Sequence, residues 1–278
     1  MSNTSTPDMT LVLGGTGKTG RRVAQRLIDR GLPIRIGSRS GSPHFDWDDA
    51  TTWEPVLRHV AAVYVVYYPD LAFPGVADPI RSFASTAVGC GARRLVLLSG
   101  RGEEEAEFSE RAVQESGVDW TILRGSWFSQ NFSEHFLLEP VLSGVIALPA
   151  GEVAEPFVDA EDVADVAVAA LTDDGHAGHT YELTGPRLLT FDDVADEISK
   201  ATGRDIRYLA VTPEQYASAA IQAGVPAEEV QPLTELFTRV LDGRNAHVTD
   251  DVERALGREP RDFTDYARDT AATGVWNP

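Results

Sequence analysis

Cysteine is nearly absent from this chain of 278 residues, and long apolar runs are absent altogether. The single cysteine, Cys90, cannot form an internal disulfide or a cysteine zinc cluster, and we expect it to be a small apolar residue near a helix end. No apolar run reaches the roughly 18 residues of a membrane span, and residues 1–8 are polar, unlike a signal peptide. We therefore expect a soluble, cytoplasmic protein.

Lysine is almost as scarce, because only Lys18 and Lys200 are lysines and the other 22 basic residues are arginines. Against these 24 basic residues stand 43 acidic ones, a formal net charge of −19. Such a surface repels phosphate backbones and anionic lipid heads. We therefore expect a small-molecule substrate and neither nucleic acid nor a membrane as partner. The sequence leaves open whether the protein is a monomer or a homodimer.

Short apolar runs alternate with amphipathic stretches through the first half of the chain. The pattern predicts five strands, at residues 10–13, 33–38, 62–68, 94–99 and 120–124, with helices at 23–30, 52–60, 80–88 and 104–115. Strands that alternate with helices through short connections are parallel, and continuously apolar strands are covered on both faces. The predicted fold class is α/β, a doubly wound parallel Rossmann sheet with a smaller, mainly helical C-terminal subdomain.

The pattern changes after about residue 150, which suggests a domain boundary. We predict a Rossmann domain over residues 1–155, joined by a returning strand near 180–184, and a smaller α+β subdomain on the substrate side over 156–278. In the second part, Thr190 is a predicted N-cap for a helix over 192–201. Thr212, followed by a proline and then a glutamine at the third helical position, predicts another helix start.

A glycine-rich segment follows the first predicted strand and opens the first predicted helix, Gly14-Gly15-Thr16-Gly17-Lys18-Thr19-Gly20. Its Gly-x-Gly-x-x-Gly spacing is the dinucleotide fingerprint, in which glycines permit a sharp turn, close backbone approach to a pyrophosphate and tight helix packing. The helix N-terminus then favours the anion. A nucleoside-triphosphate loop would also end in Gly-Lys-Thr, but it needs a glycine at position 12, which is Val12.

The end of the second predicted strand selects the form of the dinucleotide. An NAD-binding protein usually has Asp or Glu there, to bond the ribose 2′-hydroxyl. Here the strand is followed by Ser38-Arg39-Ser40. Arg39, with Lys18 as a second cation, suits a 2′-phosphate, so the predicted cofactor is NADP(H). The alternative for Arg39 is a solvated surface residue.

Several segments resemble the NmrA-like, atypical short-chain dehydrogenase/reductase family. They are Leu11–Gly20, the Ser38-Arg39-Ser40 run followed by Phe45-Asp46-Trp47, Leu95–Ser99, Val118–Arg124 with Trp127-Phe128-x-x-Asn131-Phe132, and Phe157–Ala164. The serine-arginine-serine run and the Phe-Asp-Trp triplet are most similar to NADPH-dependent reductases of ergot-alkaloid synthesis. The resemblance covers residues 9–205 and does not extend specifically to the later helices.

The resemblance implies roles for residues beyond the glycine loop. By it, Asp46 lies near the adenine, Tyr67 and Tyr68 flank the ribose and nicotinamide, and Ser99 lies beside the nicotinamide. Trp47 is also among the expected cofactor-binding residues. Backbone groups of Ser126, Trp127 and Phe128 hold the carboxamide edge. The predicted substrate pocket contains Tyr68, Trp127, Phe128, Asn131 and Phe132. Ser99 and Tyr68 are the candidate catalytic proton donors. Packing is the alternative for the aromatic residues, and an ordinary loop position for Asp46.

Conventional short-chain reductases use a tyrosine and a lysine four residues later, and this chain has no such pair. Positions 14 and 196, four before the two lysines, are Gly14 and Asp196. We therefore expect hydride transfer from NADPH to a flat organic substrate that needs little acid help, a cyclic imine or iminium, a quinone or an enone. The alternative function is a non-catalytic NADP(H) sensor of the NmrA type.

Two further groups of side chains have weaker interpretations. Glu103, Glu104, Glu105 and Glu110 can either form an acidic pocket for a cationic substrate or, as we prefer, a solvated helix face. The histidines, His44, His59, His135, His176, His179 and His247, lack metal-ligand spacing, so no metal is predicted.

Overall fold

The computed structural model describes residues 8–68, 70–134, 136–222 and 224–278. In chain order, the elements are β1 (Met9–Leu13), α1 (Gly20–Asp29), β2 (Ile34–Gly37), a 3₁₀ helix (Ala50–Thr52), α2 (Trp53–Leu57), β3 (Val60–Val65), α3 (Ala77–Gly89), β4 (Arg94–Gly100), α4 (Ala106–Gln114), β5 (Asp119–Gly125), α5 (Asn131–Glu134), α6 (Leu138–Ser143), β6 (Val145–Leu148), β7 (Ala154–Glu155), α7 (Ala160–Thr172), β8 (His179–Leu183), β9 (Leu189–Thr190), α8 (Phe191–Thr202), β10 (Arg207–Ala210), α9 (Pro213–Gln222), α10 (Ala227–Val240), α11 (Asp251–Leu256) and α12 (Phe263–Ala272). Among the described helices, none is long and apolar enough to cross a membrane.

These elements form two compact units. The first comprises the described residues within Met1–Gly125, Ala160–Leu183 and Asp251–Arg258, and the second those within Ser126–Asp159, Thr184–Asp250 and Glu259–Pro278. This division differs from the predicted boundary at residue 155. The reason is that the chain returns to the first unit twice, once for α7 and β8 and once for α11, which packs against both of them.

The first unit is built on a six-stranded parallel sheet with the order β2-β1-β3-β4-β5-β8. The order reverses beside β1, because β2 lies on one side of it and β3 on the other. The predicted α/β Rossmann fold is thus confirmed. All six carboxyl ends lie at one edge of the sheet, where folds of this type bind their ligands. The strand predicted over residues 62–68 ends earlier, at Val65, so Tyr67 and Tyr68 follow β3.

Apolar burial and ion pairs together hold the first unit. The central strands are almost wholly buried, as their continuous runs of β-branched and aliphatic residues predict. On one face, α1 is paired with α7 by salt bridges from Arg22 to Glu161 (2.5 Å) and from Arg26 to Asp165 (2.6 Å). Arg26 bonds Glu161 as well, at 2.6 Å. The helix that begins at the glycine loop is therefore fixed by contacts along its length.

The second unit has two small sheets and a core of packed aromatic rings. β6 pairs with β10 in parallel and β7 with β9 in antiparallel orientation. The core includes Phe132, Phe191, Phe237, Phe263 and Trp276. Both predicted helix starts are present: the Thr190 side chain forms a capping box with Asp193, and Thr212 exchanges bonds with Gln215.

Candidate functional site

The glycine loop connects β1 to α1, and its glycines are required by close backbone contacts. Gly14 has a φ of +62°, and its carbonyl oxygen accepts the N–H of Gly17 at 2.8 Å, which closes the turn. A Cβ at Gly20 would lie 2.2 Å from that same oxygen. A Cβ at Gly15 would lie 2.7 Å from the Ile36 side chain. Only glycine therefore fits at positions 15 and 20 without movement of the surroundings.

The outer side of this loop is open. Thr16 and Gly17 are exposed, and a Cβ at Gly17 would meet only the Gly14 carbonyl oxygen, at 3.2 Å. Thr19 and Gly20 are buried at the start of the ten-residue helix α1. An α-helix leaves its first N–H groups without intrahelical partners and has a positive dipole end there. The loop and the helix start, Gly14–Gly20, together form a cradle whose open side and polarity suit a pyrophosphate.

The cations predicted to bind the cofactor lie at the ends of neighbouring strands. Lys18 belongs to the loop after β1, where its carbonyl accepts a bond from Arg22 at 2.7 Å. Arg39 is exposed in the loop after β2. That loop is held by the Ser38 carbonyl, which accepts the N–H groups of Gly41 and Phe45 at 3.0 Å each. The Ser38 and Ser40 hydroxyls are 3.5 Å apart. Two hydroxyls therefore flank Arg39, as the sequence predicts.

The Asp46–Trp47 segment, which follows the β2 loop, is held by hydrogen bonds. Both the N–H and the C=O of Asp46 bond the Thr52 hydroxyl, and the Asp46 carbonyl also accepts the Trp53 indole N–H at 2.8 Å. The Asp46 carboxylate accepts the N–H of Asp48 at 3.1 Å. Trp47 is half-buried and donates its indole N–H to the Val66 carbonyl at 3.1 Å. The segment thus links the β2 loop to the end of β3.

The two tyrosines after β3 have different environments. Tyr67 is half-buried, with its ring centroid 5.0 Å from that of Trp47, and burial raises the pKa of its hydroxyl. Tyr68 is 74% exposed. Tyr67 is therefore fixed by packing, whereas Tyr68 is available for contact with a ligand.

Ser99 lies at the end of β4 within a buried polar network. Its hydroxyl donates to the Glu110 carboxylate at 2.6 Å. Arg124, at the end of the adjacent strand β5, donates to both oxygens of Glu110, with its shortest contact at 2.6 Å. These hydrogen bonds raise the pKa of Arg124. Ser99 is 5% exposed and Glu110 is 2% exposed.

The network continues to the last strand of the sheet. Glu182 of β8 accepts a bond from the buried Arg101 at 3.0 Å and lies 3.6 Å from Arg124. Glu110 was expected on a solvated helix face, and this was wrong. Glu110 lies on the buried face of α4, four residues after Ala106 and three before Val113, where it pairs with Arg124. Glu104 is exposed, as expected of that face.

Ser126, Trp127 and Phe128 begin the second unit. Ser126 is buried, and the other two are half-buried. The Trp127 carbonyl accepts the N–H of Val158 at 2.9 Å, so one of the predicted backbone groups already has a partner. The Trp127 ring is stacked on Phe237, with centroids 5.6 Å apart. The predicted carboxamide contacts stay a prediction.

The other predicted pocket residues in this unit differ in exposure. Asn131 is half-buried at the start of α5, and its N–H bonds the Phe128 carbonyl at 3.0 Å. Phe132 is fully buried, with its ring packed against Phe157 and Phe263 and its carbonyl bonded by Trp276 at 2.8 Å. Any effect of Phe132 on a substrate would therefore be exerted through packing.

No group of three or more His, Cys, Asp or Glu side chains could hold a metal within the described part of the chain. His135 lies outside the described residues. His176 is 3.0 Å from the Tyr181 hydroxyl, and burial lowers the pKa of its imidazole. Burial also raises the pKa of Cys90, which follows α3 as its C-cap. The prediction of no metal stays a prediction.

The sequence reasoning missed the network around Glu110 and Arg124. A signal was present, since Glu110 has the spacing of the buried positions in α4, and Arg124 follows directly on an apolar strand. A buried charge needs a partner, so two such charges on consecutive elements predict a pair. For Glu110, a buried ion pair therefore fits the spacing better than a solvated helix face.

Residues 109–268 match the model of the NmrA-like family. The chain belongs to the NmrA-like family. The resemblance derived from the sequence is thereby confirmed. The matched region includes Glu110, β5 and the Ser126–Phe132 segment, whereas the glycine loop lies before it.

Relatives of this NmrA-like protein span nearly its whole length. Agroclavine dehydrogenase of Claviceps fusiformis is 33% identical over 290 residues, which cover 96% of this chain and 99% of the relative. The NAD(P)H azoreductase of Xenophilus azovorans is 30% identical over 289 residues, covering 95% and 98%. The triphenylmethane reductase of Citrobacter sp., solved as a complex with NADP(H), has the same fold, with a TM-score of 0.76 at 19% identity over 95% of this chain and 99% of that one.

The curated relatives are a dehydrogenase and a reductase, and this chain is likewise an oxidoreductase. Of the two function classes that the sequence left open, the enzyme is therefore confirmed in preference to the non-catalytic sensor.

Proposed function

We propose that this oxidoreductase transfers hydride from NADPH to a small, flat organic molecule, a cyclic imine or iminium, a quinone or an enone. NADP(H) is the cofactor. The observation that carries the proposal is the cradle at the carboxyl edge of the sheet. In it, an open glycine turn and a helix N-terminus lie beside strand ends that bear Lys18 and Arg39. The order of the sheet reverses at that point.

Residues of the first unit suit each part of the cofactor. The turn at Gly14–Gly20 would receive the pyrophosphate, since a side chain at Gly17 would narrow the open face of the loop. Arg39, Ser38 and Ser40 would bind the 2′-phosphate through charge-assisted bonds. Asp46 and Trp47 shape the adenine end, and Tyr67 and Ser99 the nicotinamide end.

The residues around the reacting end favour positioning over acid catalysis. When bound, NADPH supplies a hydride, which is a hydrogen nucleus with two electrons, and NADP⁺ remains. An iminium ion that accepts the hydride becomes an amine with no further proton, whereas a neutral imine, a quinone or an enone also needs one proton, which water can supply. Because no tyrosine–lysine dyad exists in the sequence, the main contribution of the protein is to orient the cofactor and the substrate. Tyr68, which is exposed after β3, is suited to contact a flat substrate.

The proposal is tested with purified protein, NADPH and a panel of quinones, cyclic imines and enones, by following the loss of NADPH absorbance. We expect turnover with at least one class, and a rate with NADPH well above that with NADH. Binding of NADPH without turnover across the whole panel would contradict the proposed substrate class.

A further inference from the structure

The hydroxyl of Ser99 has its proton committed to Glu110. The donor is the Ser99 oxygen and the acceptor is the Glu110 Oε1 atom, 2.6 Å away. A carboxylate offers acceptors only, so the proton of this bond comes from the serine. The distance is that of a charge-assisted O–H···O⁻ bond, which is about twice as strong as a neutral one.

Arg124 holds Glu110 in this form. Its guanidinium donates from Nε to both carboxylate oxygens, at 2.9 and 3.1 Å, and from Nη2 to Oε2 at 2.6 Å. In each of these bonds, as in that from Ser99, the Glu110 carboxylate is the acceptor. Both partners lie at the carboxyl ends of paired strands, where Ser99 is in register with Arg124. The orientation of the serine proton is therefore built into the end of the sheet.

A serine whose proton is committed can only accept from a third group. We propose that Glu110 is a positioning residue, which makes Ser99 an acceptor-only contact for an N–H group of the bound ligand. This inference rests on the proposed function, which puts the nicotinamide end of the cofactor near the end of β4. It also reverses the role predicted for Ser99 as a proton donor.

Two groups could supply the N–H, the carboxamide of the nicotinamide or a protonated nitrogen of the substrate. They are separated by equilibrium binding of NADPH and of its 3-acetylpyridine analogue, in which a methyl ketone replaces the carboxamide. If the donor is the carboxamide, Ser99→Ala weakens NADPH by about tenfold and leaves the analogue unchanged. If the donor belongs to the substrate, Ser99→Ala leaves the NADPH-to-analogue ratio unchanged but lowers kcat/KM for a protonated cyclic imine relative to a quinone.

Glu110→Gln tests the positioning role directly. A glutamine oxygen can take the bonds of Arg124, and its amide NH₂ then donates to Ser99, whose proton turns outward. We expect a loss for the N–H ligand of about tenfold, and no loss for its ketone or quinone counterpart. In a Ser99→Ala background, Glu110→Gln should not change the preference for the N–H ligand over its ketone or quinone counterpart, because Glu110 acts only through Ser99.

Glu107→Gln is the matched control. Glu107 lies one turn earlier on α4 and contacts the same Arg124 at 3.5 Å, but its side chain is half-exposed. Glu107→Gln should change neither the ratio of NADPH to analogue binding nor the ratio of kcat/KM for the imine to that for the quinone. The inference would be overturned if Glu110→Gln weakened both ligands equally. It would also be overturned if Ser99→Ala changed neither the ratio of NADPH to analogue binding nor the ratio of kcat/KM for the imine to that for the quinone. The second result does not depend on the folding of a Glu110 variant. Absence of NADPH binding by the unmodified protein would instead overturn the proposed function and this inference with it.

Discussion

Gly20 lies against Gly14 so closely that a Cβ on Gly20 would come 2.2 Å from the Gly14 carbonyl oxygen. That oxygen also accepts the bond that closes the turn, so it cannot move without opening the loop. Gly14 and Gly20, the first and last glycines of the loop, therefore form one packing unit. Gly17, between them, is exposed and has a different reason to be glycine.

Alanine at Gly20 should affect mainly stability, and alanine at Gly17 mainly cofactor binding. Gly20→Ala is expected to destabilise the protein by about 3 kcal/mol, because the clash is with backbone. Gly17→Ala should change the melting temperature little but weaken NADPH binding at least tenfold, since its Cβ would occupy the open side of the cradle. Thermal denaturation and calorimetric titration measure the two effects. Equal melting temperatures for both variants would contradict the packing argument.

Arg39 should discriminate between the two nicotinamide dinucleotides. Arg39→Ala is expected to raise the Kd of NADPH by about tenfold or more and that of NADH by less than twofold, because only NADPH carries the 2′-phosphate. Arg81→Ala, which removes an exposed arginine paired with Asp78 on α3, is the matched control and should alter neither. Equal losses for both cofactors after Arg39→Ala would show that Arg39 does not read the phosphate.

The stability of the second unit should depend on pH through Asp262. The bonds from Arg187, at 2.7 and 2.9 Å, lower the pKa of Asp262 from 3.8 to about 2. Because the folded pKa lies below the unfolded one, the ionised pair stabilises the fold above roughly pH 4, and this contribution is lost as the pH falls toward 2. The pair is partly exposed, so solvent screening reduces its contribution to about 1 kcal/mol.

Asp262→Asn isolates this charge, because asparagine can still cap α12 at the Thr264 N–H. We expect a lower melting temperature than that of the unmodified protein at pH 7, and a difference that shrinks as the pH falls through 2. Asp205→Asn, in the exposed pair with Arg207, should leave the melting temperature unchanged at both values. A deficit for Asp262→Asn that is as large near pH 2 as at pH 7 would point to the cap and not to the charge.

Local signals predicted much of the fold. The parallel strands were visible as continuous apolar runs, and Thr190 was visible as a helix N-cap three residues before Asp193. Two-residue strands such as β7 and β9 have no periodicity to detect, so the sheet that they form was missed. Of the other small sheet, the sequence pattern predicts a strand over residues 207–211, where β10 lies, but not its partner β6. The return of the chain to the first unit for β8 was expected, but the return of α11 was missed, because nothing in the local sequence around Asp251 indicates that this helix packs against β8.

The candidate site also has one part that local sequence predicts and another that depends on tertiary contacts. The glycine loop and Arg39 follow from spacing alone, because their constraints act over a few residues. The pairing of Ser99 with Glu110 and Arg124 depends on which strands are neighbours and which face of α4 is buried. Those are tertiary facts, and only the rule that a buried charge needs a partner gives a sequence-level warning of them.

Trp47 should affect cofactor binding without touching the cofactor's phosphates. Its indole N–H bonds the Val66 carbonyl at 3.1 Å, and a Cβ at Gly14 would lie 3.4 Å from the Cβ of Val66. Trp47 thus supports the residue on which the glycine turn rests. Trp47→Phe keeps an aromatic ring but leaves that carbonyl without its donor, which costs about 1 kcal/mol. We expect a similar fall in stability and a few-fold rise in the Kd of NADPH.

The matched control is Trp120→Phe, at a half-buried tryptophan of β5 that packs against the same core. It should lower the melting temperature through lost packing while the Kd of NADPH stays within twofold. If both variants weaken NADPH in proportion to their loss of stability, then Trp47 acts only as a core residue. If Trp47→Phe alone weakens NADPH binding, Trp47 acts on the cofactor site beyond its packing in the core, and the Phe-Asp-Trp triplet has a physical reason to accompany this loop.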